Sequence, residues 1–156
     1  MHACNDSWTA AMCDNVQEKK KDRGKTAMDC QNISLPVKGI GVDIEDISRF
    51  KDLNLDENEK FLKKIFTQQE LSYCFSKKNP APHLAARFSC KEAVIKALQS
   101  AGFDNPGFSA IEILNDKKGI PSVRIDKKDF KNVTIKISLS HCRDKSLAFA
   151  VFFEDK

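Results

Sequence analysis

Runs with helical spacing in this chain fall before residue 100, and four of its five strand-like runs fall after residue 110. A doubly wound parallel sheet needs strands and helices to alternate, so this order predicts an α+β domain with antiparallel strands. Short helices are expected around Ile47 to Lys51, from Asp56 to Ile65 and from Thr67 to Phe75, where Thr67 followed by Glu70 has the form of a capping box. Pro80 and Pro82 open the longest helix, whose apolar positions Leu84, Phe88, Ile95 and Leu98 recur at steps of four, seven and three; its other faces are expected to carry the charges. Beyond a turn-rich patch from Ala101 to Gly107, strands are expected near residues 110–114, 122–125, 133–139 and 147–153, forming a meandering sheet.

The fifth strand-like run, PVKGIGVDI from Pro36 to Ile44, is expected to end close to Asp43. Gly39 and Gly41 in it would let another backbone or a ligand come close. Its single acid, in an otherwise apolar run, needs a reason to be there. On the long helix Glu92 and Lys96 stand one turn apart, the spacing of an ordinary surface ion pair worth about 0.2–0.5 kcal/mol. Beside Asp43 the same pair suits a metal and phosphate site.

At 156 residues and 41% hydrophobic, the chain has material for one domain, placed at residues 35–156. Residues 1–34 are polar, hold a KKKDRGK run and lack sustained periodicity, which predicts a disordered extension. No run is long and apolar enough to span a bilayer, and the first thirty residues lack the apolar core of a signal peptide. Six cysteines (Cys4, Cys13, Cys30, Cys74, Cys90 and Cys142) show no C-x-x-C pair or zinc spacing, so free thiols in the cytoplasm are expected. Residues 1–36 hold five acids and five bases, so the net charge of +4 lies in the folded part, as suits a phosphorylated substrate or an acidic partner.

Read in order, GIGVDIEDISRF, FTQQEL, LAARFSCKEAVIKAL and ISLSH resemble the small phosphopantetheinyl transferases of the holo-(acyl carrier protein) synthase type. That family shows G-I-G-x-D-I with an Arg six residues after the Asp, then F-T-x-x-E, A-R-F-x-x-K-E-A-x-x-K-A and a late S-x-[ST]-H. Between Val37 and the C-terminus the first three appear here in order and at the expected spacing, and the fourth appears as Ser138, Leu139, Ser140 and His141, a combination far more specific than any one motif. The resemblance implies a single α+β domain of the 4′-phosphopantetheinyl transferase type. It also implies transfer of the 4′-phosphopantetheine arm of coenzyme A to a serine of apo acyl carrier protein for fatty acid biosynthesis, dependent on Mg²⁺, with adenosine 3′,5′-bisphosphate released.

By the same resemblance Asp43 and Glu92 are metal ligands and Lys96 acts on the pyrophosphate, the three forming the catalytic set. Arg87, Lys96, Ser140 and His141 bind coenzyme A, while Arg49, extended by Lys60 and also Lys63 and Lys64, meets the carrier protein. Lys91 is expected to be structural, with Glu92 beside it as sufficient partner, and His83 is a surface or rim residue. The carrier serine's proton could pass to Glu92, to Asp43 or to a metal-bound water, the last being favoured. Family members are usually homotrimers with each site between two subunits, which predicts apolar strand residues packed between subunits. No nucleic-acid or membrane partner is expected.

The chain departs from the family pattern in three places. Gln99, Ser100 and Ala101 precede Gly102 where many members have a G-x-G turn, Gly119-Ile120-Pro121 replaces a G-K-P turn, and CRDKSLAFAV after His141 lacks a common tyrosine. Two competing functions are a noncatalytic phosphate or nucleic-acid binding module, supported only by the basic excess, and the same chemistry on a polyketide or peptidyl carrier. No aromatic-basic RNA motif supports the first.

Overall fold

The computed structural model describes residues 37–130 and 133–154. The polar segment 1–34, with Cys4, Cys13 and Cys30, lies outside the described residues. Strand β1 (Val37–Asp46) leads through a 3-10 turn (Ile47–Phe50) into α1 (Leu55–Ile65), α2 (Gln68–Phe75) and α3 (Ala81–Ser100). Strands β2 (Ile111–Asn115), β3 (Pro121–Ile125), β4 (Val133–His141) and β5 (Lys145–Glu154) follow.

The strands divide into a β1-β5-β4 sheet and a separate β2-β3 hairpin, all pairs antiparallel. This corrects the expectation of one meander. β5 takes β1 as its second neighbour because both strands turn small residues toward α3. Gly41 faces Ala150 and Asp43 faces Ala148 in register, and both alanines are buried. The approach is so close that a β-carbon on Gly39 or Gly41 would sit 2.0 Å from the carbonyl oxygen of Ala97 or Ala93. The sequence expectation of a close backbone contact at these glycines is met, and the backbone is that of α3.

α3 packs against β1 and β5 on one side and against α2 and β2 on the other. It is consequently buried on most of its circumference, and two of the charges expected on its outer faces, Arg87 and Lys91, lie inside. Lys91 is fully buried. Its Nζ ion-pairs with Glu70 Oε2 at 2.7 Å and donates to the carbonyls of Ile65, Phe108 and Ile111 at 2.7, 2.9 and 2.6 Å. Four acceptors share three ammonium hydrogens, so the charge is compensated without water. Burial pushes the Lys91 pKa down and the Glu70 charge opposes the shift. Lys91 is therefore structural as expected, but its partner is Glu70 and not the neighbouring Glu92.

Glu70 completes the predicted capping box: Thr67 Oγ1 accepts from Glu70 N, and Glu70 Oε2 accepts from Thr67 N at 2.7 Å. Its other oxygen accepts from Ile113 N at 2.9 Å, joining α2 to β2. At the far end of α3, Gly102 takes φ 87° while its N–H bonds to Gln99 O and Phe103 N–H to Leu98 O, each at 3.0 Å. These are the paired bonds of a Schellman cap, with Phe103 folded onto the core beside Phe130 and Phe152.

Candidate active site

A strand turns alternate side chains to one face, so Asp43 and Glu45 continue the row of Gly39 and Gly41 toward α3. Asp43 stands within β1, three residues before its last, which corrects the expected strand end. Because the two glycines bring β1 against α3, residues one and two turns along that helix meet these acids. Lys96 Nζ donates to Asp43 Oδ1 at 2.9 Å and to Val42 O at 3.1 Å. Asp43 Oδ2 is buried without a hydrogen-bond partner. The Glu92 carboxyl is held above its usual range, first by partial burial and then by the charges of Asp43 and Glu45, against the pull of Lys96. The bond to Asp43 raises the Lys96 pKa, so its ammonium is firmly charged.

The arrangement brings together the three residues placed by sequence in the catalytic set, and adds Glu45. Glu45 is reachable from sequence by parity, two residues after Asp43 on a strand and four before Arg49. Among the described residues no group of three or more His, Cys, Asp or Glu side chains gathers to hold a metal ion. Two carboxylates remain, one with an orphaned buried oxygen and one whose ionisation is opposed by nearby negative charge. Hard oxygen donors in that number fit Mg²⁺, which keeps several waters and takes further ligands from phosphates.

Arg49 lies on the 3-10 turn after β1. Its Nη1 grips both Glu45 oxygens, at 2.7 and 2.5 Å, and its guanidinium lies 5.6 Å from the Phe88 ring centroid. Lys60 is exposed on α1, whereas Lys63 pairs with Glu59 at 2.5 Å.

Arg87 sits apart from the acid cluster. It is 3% exposed and donates to Asn115 Oδ1 at 2.8 Å and His83 O at 3.3 Å, with its guanidinium 4.1 Å from the Tyr73 ring centroid. Arg87 Nε is buried without a partner. His83 packs edge-on against Tyr73, and its pKa is lowered by burial and then by the charges of Arg87, Lys77 and His141. His141, exposed at the end of β4, thus approaches the same cationic neighbourhood, and exposed Ser140 precedes it. Sequence reasoning passed over Tyr73 and Asn115 as supports of Arg87, since neither lies at helical spacing from it.

Residues 39–151 match the model of the 4′-phosphopantetheinyl transferase superfamily. The chain belongs to that superfamily. A holo-[acyl-carrier-protein] synthase of Thermodesulfovibrio yellowstonii is 45% identical over 118 residues, spanning 74% of this chain and 97% of the relative. Another from Clostridium acetobutylicum is 40% identical over 121 residues, spanning 74% and 96%. The crystal structure of a Bacillus anthracis holo-(acyl-carrier-protein) synthase in complex with CoA (3′,5′-ADP) superposes with a TM-score of 0.62 at 27% identity, over 76% of this chain and 98% of that one. The Helicobacter pylori synthase in complex with coenzyme A gives 0.60 at 30% identity, over 72% and 98%. The fold of this phosphopantetheinyl transferase is therefore the α+β fold of those synthases, as its sequence led one to expect.

Proposed function

We propose that this chain transfers the 4′-phosphopantetheine group of coenzyme A to a serine hydroxyl of an apo acyl carrier protein, releasing adenosine 3′,5′-bisphosphate, in the service of fatty acid biosynthesis. The observation that carries the proposal is the buried, unpartnered Asp43 Oδ2 beside Glu92, with Lys96 fixed on the other Asp43 oxygen. It stands inside a domain matched to the transferase family over residues 39–151.

Asp43 and Glu92 would hold Mg²⁺, which supplies Lewis-acid charge to the pyrophosphate of coenzyme A. Lys96 is tethered at Asp43 yet 49% exposed in its side chain, so it can meet the departing phosphate and stabilise its charge. The carrier serine's proton would pass to water ordered beside Glu92, whose ionised carboxylate is the stronger base for its raised pKa. His141, Ser140 and Arg87 would hold the nucleotide's phosphates. Tyr73 and Asn115 fix the plane of the Arg87 guanidinium. Arg49 and Lys60 would meet the carrier's acidic surface, chiefly steering its approach.

The assembly proposed is a homotrimer with sites between subunits. Its support is the outer face of the β1-β5 sheet, where Ile40, Val42, Ile44, Leu147 and Phe149 stand 40–59% exposed. A row of large apolar side chains on one sheet face calls for a cover. The cytoplasm is the compartment proposed, in keeping with the free thiols of Cys74, Cys90 and Cys142. Among the described residues no helix is long and apolar enough to cross a membrane.

Incubation with coenzyme A, Mg²⁺ and apo carrier should release adenosine 3′,5′-bisphosphate in proportion to carrier consumed, measured by chromatography. Release without carrier, or none with it, would contradict the assignment. Arg49→Glu should raise the carrier KM about tenfold or more while leaving coenzyme A affinity unchanged, as read by titration calorimetry. An unchanged KM would remove Arg49 from docking.

A further inference from the structure

Glu45 is the more buried member of its pair with Arg49. Its side chain is 13% exposed against 60% for Arg49, and it stands on the next-to-last residue of β1, with Ser146 opposite it in register. Arg49 hangs from a short 3-10 turn, and while it holds Glu45 its guanidinium lies 5.6 Å from the Phe88 ring centroid. Both Glu45 oxygens are engaged by one Arg49 nitrogen, so the guanidinium's attraction for any outside carboxylate is partly spent inside the molecule. Only the arginine has room to leave.

We propose that Glu45 is a specificity-determining latch: it competes with the acidic surface of the carrier for Arg49, and a carrier docks productively only when its carboxylates displace Glu45. This rests on the transferase reading and on Arg49 as the carrier-facing residue. An ion pair half open to water is worth about 0.2–1 kcal/mol, so one weakly placed carboxylate exchanges for Glu45 with little gain. A carrier face with several carboxylates gains more from the freed guanidinium than the latch loses. The latch therefore discriminates among partners by charge density, through a competing interaction rather than an added contact. No other part of the carrier surface need be recognised for this discrimination to arise.

The test is carrier binding by titration calorimetry without coenzyme A or Mg²⁺, alongside steady-state transfer, for the unaltered protein, Glu45→Gln, Arg49→Ala and the double variant. Glu45→Gln keeps the shape of the side chain and removes the competing charge. It should tighten carrier binding and lower the carrier KM about threefold to fivefold. In the Arg49→Ala background the same substitution should change neither number, because Glu45 acts through Arg49. Equal or weaker carrier binding by Glu45→Gln overturns the latch, as does an undiminished gain without Arg49; transfer by the unaltered protein would leave the transferase reading standing in either case. An unaltered protein that neither binds nor modifies any carrier overturns both.

Discussion

At the scale of single residues, the acids and the ammonium of the site are tuned against one another. Partial burial, Asp43 and Glu45 all oppose ionisation of Glu92, so without a cation the folded state binds a proton there more tightly than the unfolded chain does. Stability in the absence of metal therefore falls as pH climbs from the ordinary glutamate range through the native pKa of Glu92. Glu92→Gln should abolish transfer yet raise the metal-free melting temperature at neutral pH by about 1–3 °C, a gain that vanishes in acid below the ordinary glutamate range. A variant that melts lower at neutral pH would show that Glu92 supports the fold instead of straining it. Calorimetric scans across that pH range check this directly. The residue roles were legible only in part. Asp43, Glu92 and Lys96 could be placed from motif spacing, because a strand acid and two positions one helical turn apart meet wherever that strand and helix pack. Glu45 shares a strand face with Asp43 and went unremarked, because its neighbours gave it an ordinary surface look. Lys91 was assigned the wrong partner because Glu92 adjoins it in sequence, whereas adjacent helical residues point about 100° apart.

At the scale of elements, the site depends on β1 lying against α3. Gly41→Ala would place a β-carbon 2.0 Å from Ala93 O, which backbone cannot yield without separating strand and helix. Loss of about 3 kcal/mol or more is expected, with activity reduced beyond the fraction unfolded because Asp43 and Lys96 part. Chemical denaturation with parallel activity measurements tests both halves. A second dependence runs through the buried Lys91–Glu70 pair, which ties α3 to α2 and β2. Lys91→Met would strand Glu70 at 0% exposure and should cost about 3–5 kcal/mol. The matching double variant with Glu70→Gln should recover part of that loss, as urea midpoints would report. The order of helices and strands was legible from periodicity because each element is long enough to show one. The division into two sheets was not, since pairing of β1 with β5 joins the two ends of the domain and leaves no local signal.

At the scale of the whole molecule, the proposed homotrimer rests on the apolar outer face of β1 and β5. Val42→Asp, placing a charge on that face, should convert the proposed trimer to monomers in light scattering and reduce transfer at least tenfold, while the circular dichroism of the domain persists. Full activity in a monomeric variant would place the complete site within one chain. Above assembly stands the activity itself, on which the roles of Asp43, Glu92, Lys96 and Arg49 all depend. Its most direct measurement is the intact mass of an apo acyl carrier protein after incubation with this chain, coenzyme A and Mg²⁺. The account predicts a gain of one phosphopantetheine on the carrier serine, absent when Glu92→Gln replaces the unaltered protein; an unchanged carrier mass with the folded, unaltered protein would contradict it.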